Sequence, residues 1–141
     1  MNELPSVNTR EASIDRPPRI LVVEDEAPLG ELLSYNLKAE GFEAEHIDRG
    51  DEAELCLAET PFDLVILDWM LPGVSGLEIC RRMRTRDNTR DMPIIMLTAY
   101  DYRDDFSVWV SDAYVVKSSD LTNLKATIKQ LIKKPTTPGP T

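Results

Sequence analysis

Four places along this chain carry polar groups directly after apolar runs, and their chemistries are complementary. Glu24 and Asp25 follow the run 20–23, Asp68 ends the run 64–68, Thr98 follows 93–97, and Lys117 follows 113–116. Adjacent acids are costly: two like charges ~4 Å apart repel by roughly 4 kcal/mol at an effective dielectric of about 20. A protein keeps such a cluster where a cation occupies it. A few hard oxygen ligands, with water completing the octahedron, suit Mg²⁺. Lys117 offsets further negative charge, and Thr98 offers a hydroxyl to an incoming oxyanion. Such a set suits a phosphoryl group, with its charge of about −1.5 to −2 and three acceptor oxygens. Moving that group needs positioning and charge neutralisation more than covalent chemistry, and a carboxylate can accept it as an acyl phosphate. Each residue also has a plainer reading: Asp68 as a turn residue, Glu26 as an acid favoured at a helix N-terminus.

Positioning four such groups together requires a particular architecture. Residues 20–23, 64–68 and 93–97 are short, apolar and rich in β-branched residues, which predicts strands buried on both faces. Residues 42–47 form a weaker strand near an edge, and 113–116 a fifth strand. Between them lie helical patterns. Pro28 opens a helix whose Leu29, Leu32, Leu33 and Leu37 form an apolar stripe, closed by Gly41. Residues 50–60 form a second, with Ala53, Cys56 and Leu57 inward and Pro61 as its stop. A third follows the loop 72–76, with Leu77, Cys80 and Met83 on one face. Residues 100–111 hold one or two helical turns, with Asp101 as a candidate cap and Phe106, Val108, Trp109 and Val110 as apolar anchors. Leu121, Leu124, Ile128, Leu131 and Ile132 mark the last helix. Alternating β and α elements mean a parallel sheet with helices on both faces, whose carboxyl edge gathers the polar strand ends.

The 141 residues suit one domain. Residues 1–18 are polar and proline-bearing, which predicts a disordered tail; 19–134 form the domain; 135–141 read as a linker or C-terminal tail. Lys and Arg total 16 against 25 Asp and Glu, a net charge of −9. That balance argues against non-specific nucleic-acid binding and against an anionic membrane surface. No apolar run approaches the roughly 20 residues that span a bilayer, and no secretion signal is visible, so a cytoplasmic location is the default. Cys56 and Cys80 have no metal-ligand spacing and read as reduced core residues. His46 reads as exposed rather than ligating. Arg81, Arg82, Arg84, Arg86 and Arg90 read as a solvated helix face, with docking of an acidic partner as the alternative.

Val22-Val23-Glu24-Asp25-Glu26, Leu67-Asp68-Trp69-Met70-Leu71-Pro72-Gly73, Pro93-Ile94-Ile95-Met96-Leu97-Thr98-Ala99 and Tyr114-Val115-Val116-Lys117 resemble the receiver domain of two-component response regulators. The first hundred residues are most similar to its phosphate-regulon (PhoB-like) branch. The resemblance implies a flavodoxin-like (CheY-like) α/β fold, a doubly wound five-stranded parallel sheet of order 2-1-3-4-5. It implies phosphorylation of Asp68 by a sensor histidine kinase. Mg²⁺ would bind through Asp25, Asp68 and the Met70 carbonyl, with Glu24 acting through water. Thr98 and Tyr114 would be the switch pair and Lys117 would hold a phosphoryl oxygen. On this reading the chain is a phospho-acceptor that assists its own phosphorylation and dephosphorylation, not an enzyme acting on other substrates.

Two departures from the family pattern fall together. Ser118 stands where the family has a cis proline. A cis bond before a non-proline residue costs roughly 3–4 kcal/mol, so either a trans bond with an altered loop or a strained cis bond is expected. The interval from Thr98 to Lys117 is also short, which predicts a clipped fourth helix. Residues 100–132 resemble short receivers reading Lys-Ser-Ser-Asp-Leu, so a chimera of two receivers, natural or engineered, is one alternative. PhoB-like receivers pair through the fourth helix, fifth strand and fifth helix, and a clipped fourth helix weakens that expectation of a homodimer. Phe106 and Trp109 are expected to cover the core there. No winged-helix DNA binder follows within these residues, so no DNA binding is expected of them. The rival readings are a binding-only pseudo-receiver and a haloacid-dehalogenase-type phosphatase. The latter needs an Asp where Met70 stands. A GTPase lacks its phosphate-cradling loop here.

Overall fold

A computed structural model describes residues 16–99, 110–118 and 120–133. Five strands form one sheet of order β2-β1-β3-β4-β5, every neighbouring pair parallel. They are β1 (Arg19–Val23), β2 (Glu43–Ile47), β3 (Leu64–Asp68), β4 (Ile94–Thr98) and β5 (Ala113–Val116). The described helices are α1 (Ala27–Ala39), α2 (Gly50–Glu59), α3 (Gly76–Arg84) and α4 (Thr122–Lys133). Residues 100–109 of the predicted clipped helix, with Asp101, Phe106, Val108 and Trp109, lie outside the described residues, as do the 1–15 and 134–141 parts of the predicted tails, while Val110 packs against the core as expected.

The central strands are continuous apolar runs because both their faces are covered. Successive side chains alternate between two cores. Leu21, Val23, Val65, Leu67, Ile94 and Met96 pack with Ala53 and Leu57 of α2 and Ile79, Cys80 and Met83 of α3. Ile20, Val22, Leu64, Ile66, Ile95 and Leu97 pack with Leu33 and Leu37 of α1 and Leu124 and Ile128 of α4. β2 is the edge strand, alternately exposed and partly buried, as its weak pattern predicted.

Local signals fix the helix ends. Pro28 lies in the first turn of α1, and Gly41 follows it with φ +99°, the left-handed conformation that glycine adopts at a helix C-terminus. Ser75 caps α3 by accepting from the Glu78 amide, the S-x-x-E spacing of a capping signature. Inward faces differ in detail from the sequence reading. Leu32 is 38% exposed, lying off the buried line of Leu33 and Leu37. In α3 it is Ile79, with Cys80 and Met83, that is fully buried, while Leu77 is only partly so.

Most of the arginine cluster is the solvated face expected, with Arg81, Arg86 and Arg90 exposed, but Arg84 is tied into the fold. Arg82 bonds Glu78 and Glu54, Arg86 approaches Glu54, and Arg90 pairs with Asp87. Arg84 donates to the carbonyls of Val110, Arg90 and Met92 and to Asp112, closing α3 against the entries to β4 and β5. The Glu78 and Asp87 pairs follow from local spacing, whereas Glu54, Asp112 and the carbonyls that Arg84 meets lie on other elements and carry no such signal.

Candidate functional site

The registers level the carboxyl ends of the strands: Val23 opposes Leu67, Asp68 opposes Leu97, and Thr98 opposes Val116. Residues that end β1, β3, β4 and β5 therefore meet on one rim. Glu24, Asp25 and Asp68 bring carboxylate oxygens within 4.8 Å of one another. Lys117 reaches in from the end of β5, its Nζ donating to Glu24 Oε2 and Asp68 Oδ2, each at 3.2 Å. The backbone holds this arm in place, because the Lys117 amide donates to the Thr98 carbonyl at 2.6 Å. Thr98 itself is fully buried beneath the rim. Tyr114 is partly buried and packs against the core cluster under α2 and α3.

Turns just beyond the strands aim the acids. The Trp69 amide extends the β3–β4 ladder by donating to Leu97. The chain then bends so that the Met70 amide donates to Asp68 Oδ1 at 3.2 Å. Gly76 opens α3 against the back of Asp68, where a Cβ would overlap the Asp68 carbonyl oxygen. On β1, Glu24 Oε2 accepts from the Glu26 amide at 3.0 Å.

The cluster is electrostatically loaded. Asp68 is pushed from 3.8 up to about 7, first by burial, then by the Asp25 carboxyl against it and the Glu24 charge; the Met70 amide and Lys117 pull the other way. Lys117 is raised because the attraction of Asp68 and Glu24 outweighs its own burial. Glu24 is wholly buried, and its Oε1 has no hydrogen-bond partner among the described residues. An orphaned buried carboxylate oxygen inside a three-acid cluster is a donor set suited to a cation. Hard oxygens of this kind fit Mg²⁺.

The structure thus brings together Glu24, Asp25, Asp68, Thr98 and Lys117, with Met70 in the turn after Asp68. Several contacts were not legible in sequence. Glu26 is more than an acid at a helix start: its side chain lies 3.7 Å from Lys117. His46 is not exposed. It is partly buried, with Nε2 2.7 Å from the Glu24 carbonyl oxygen, because β2 lies beside β1 at that point. The Lys117–Ser118 bond is trans. Ser118 Oγ accepts from the Asp120 amide, and Asp120 in turn accepts from the Thr122 amide at the start of α4. The altered-loop alternative is the one realised. Cys56 and Cys80 are free, and burial pushes the Cys80 thiol up to about 11, which keeps it inert.

Comparison with known proteins gives a consistent result. The family described as the response regulator receiver domain matches residues 20–129. The phosphate regulon transcriptional regulatory protein PhoB of Rhizobium meliloti (strain 1021) is 53% identical over 123 residues, covering 83% of this chain and 53% of that protein. PhoB of Escherichia coli (strain K12) is 38% identical over 119 residues, covering 82% and 52%. The chain therefore spans about half the length of the curated relatives it matches. Among solved structures, the response regulator protein TrrA of Thermotoga maritima, in complex with Mg²⁺-BeF, has a TM-score of 0.76 at 45% identity, covering 81% of this chain and 98% of that one. TrrA in complex with the histidine kinase ThkA gives a TM-score of 0.76 at 44% identity, covering 82% and 99%.

Proposed function

The chain belongs to the response regulator receiver family, and from that premise we propose that Asp68 is its phospho-acceptor, served by a divalent cation and Lys117. The observation that carries this reading is the ammonium of Lys117, 3.2 Å from both Asp68 and Glu24 inside the three-carboxylate cluster. Asp25, Asp68 and the Met70 carbonyl would hold Mg²⁺, with Glu24 acting through water. When bound, the ion neutralises the acceptor carboxylate and the oxygens of the incoming group.

The chain's own residues perform the rest. The Met70 amide fixes one oxygen of Asp68, so the carboxylate presents a set face. Lys117 favours the ionised form, the only nucleophilic one. An oxygen of Asp68 bonds to phosphorus as the donor's bond to phosphorus breaks, and the leaving group takes up a proton. Lys117 then offsets charge on a phosphoryl oxygen, while Thr98 and Tyr114 carry the change into the β4–β5 region. The donor is a sensor histidine kinase, a proposal supported by the ThkA–TrrA complex. No turnover of other substrates is proposed. Two free cysteines suit a reducing, cytoplasmic setting, and among the described residues no helix is long and apolar enough to cross a membrane.

Intact mass after incubation with acetyl phosphate and Mg²⁺ tests the reading. The wild type gains one phosphoryl group and Asp68→Asn gains none. An equal gain in both, or no gain in the wild type, overturns it.

A further inference from the structure

We propose that His46 is a positioning residue for the acid pair Glu24–Asp25, acting through the peptide that joins them. The inference rests on the reading of that pair as cation ligands. The Glu24 amide donates to the Ile47 carbonyl at 3.0 Å, the last rung between β1 and β2. In a continued parallel ladder the Glu24 carbonyl would next accept from the amide of residue 49. The chain has turned away by then, with Arg49 serving as the N-cap of α2. The imidazole of His46 takes that place, with Nε2 2.7 Å from the Glu24 oxygen. A carbonyl only accepts, so Nε2 carries the hydrogen.

This contact matters because the Glu24–Asp25 peptide is planar. Anchoring its oxygen fixes the torsions on both sides, and with them the directions in which the two carboxylates leave the chain. Those directions are opposed in environment: Glu24 is buried and Asp25 exposed, yet both contribute oxygens to one cluster with Asp68. Metal-ligand direction depends on such supporting contacts.

Gly30 of α1 is the counterpart. It is buried, and a Cβ there would overlap Nε2, Cε1 and Cδ2 of the His46 ring. Glycine is a poor helix former. At this position its missing side chain is what lets the ring lie against α1 and reach Glu24.

Three variants of the full chain test the proposal. His46→Phe keeps a flat ring without the donor. His46→Gln places an amide nitrogen near the position of Nε2. Gly30→Ala displaces the ring while introducing a better helix former. Mg²⁺ affinity is measured by calorimetry, the metal-free state by the Asp25 amide resonance in chelator, and folding by urea midpoint. His46→Phe and Gly30→Ala should bind Mg²⁺ about 10-fold more weakly and shift the Asp25 amide, while His46→Gln returns to within roughly threefold of wild type. A change in folding alone would move the urea midpoint without separating Phe from Gln in Mg²⁺ affinity. Wild-type affinity and an unshifted Asp25 amide in His46→Phe would overturn the proposal, as would His46→Gln binding no better than His46→Phe. Failure of the underlying reading looks different: a wild type that binds no Mg²⁺, or binds it equally after Asp25→Asn, removes the acid pair as ligands and this inference with it.

Discussion

Replacing Asp68 by Asn should stabilise the metal-free protein at pH 8, although it removes the proposed acceptor. The Asp68 carboxyl stands at about 7 in the fold against 3.8 for a free one. A folded value above the unfolded one means that the native state holds the proton more tightly. Ionising Asp68 then erodes stability as pH climbs from 3.8 to about 7, and the loss is complete above that. At ~1.4 kcal/mol per pH unit, the accumulated loss at pH 8 is about 4 kcal/mol. Asn carries no charge to desolvate beside Glu24 and Asp25, and its oxygen can still accept from the Met70 amide. Weaker hydrogen bonding of the amide to Lys117 returns about 1 kcal/mol. The expected net gain is ~2–4 kcal/mol at pH 8, or about 10 °C in melting temperature for a domain of this size. Near pH 4 most of the gain should be gone, because Asp68 is protonated in the fold and the unfolded carboxyl, at 3.8, has only begun to ionise. Urea denaturation in chelator at pH 4 and pH 8 measures it. Groups that titrate alike in the two proteins cancel in the difference. An Asn variant less stable than wild type at pH 8, or a difference that does not change with pH, would refute the account of the rim as a cluster strained by its own charge.

Lys117→Met removes the ammonium that faces Glu24, Glu26 and Asp68. It should cost about 3–5 kcal/mol at pH 8 in chelator, the usual effect of breaking a buried pair, with the loss smaller at pH 5 in the same urea assay. Arg84→Ala abandons three carbonyls and Asp112, and should destabilise by ~2–4 kcal/mol. Hydrogen exchange should then quicken first at the β4 and β5 amides, Ile94 among them. Gly76→Ala drives a Cβ into the Asp68 carbonyl oxygen. It should cost ~1–3 kcal/mol by overpacking, and Mg²⁺ affinity should fall as the acceptor strand shifts.

What the sequence could disclose follows from the range of the forces involved. Strand runs, Pro28, Gly41 and Pro61 act within a few residues, so β1, β3, β4 and the helix boundaries were legible. The parallel alternation sent all four polar strand ends to one edge, so Glu24, Asp25, Asp68, Thr98 and Lys117 could be grouped without coordinates. The contacts that escaped link residues distant in sequence and have no periodic signature. His46 meets Glu24 only because β2 lies beside β1. Arg84 serves as an anchor only because the chain before β5 returns past α3. Leu32 and Leu77 fit their helical patterns yet lie aside, since the neighbouring elements determine which part of an apolar stripe is covered.

The rim and the core of this fold are built on opposite terms. Below it, β1, β3 and β4 bury apolar side chains on both faces and ask nothing of the solvent. At their last residues the same strands hold Glu24 with an unpartnered oxygen and Asp68 with its proton affinity raised. That strain sits on a fixed backbone: the register of β3 with β4 and the Trp69–Leu97 bond hold Asp68 at the end of its strand. A cation or a transferred phosphoryl group changes the charge at a point the core will not let relax. On the proposed function, the adjustment would fall on the side chains around the rim. Lys117 is the best connected of these, holding the acids through its side chain and Thr98 through its backbone. On the proposed function, a change in the acids would reach the β4–β5 edge through this one residue, and the coupling between Asp68 and Thr98 should be lost in Lys117→Met.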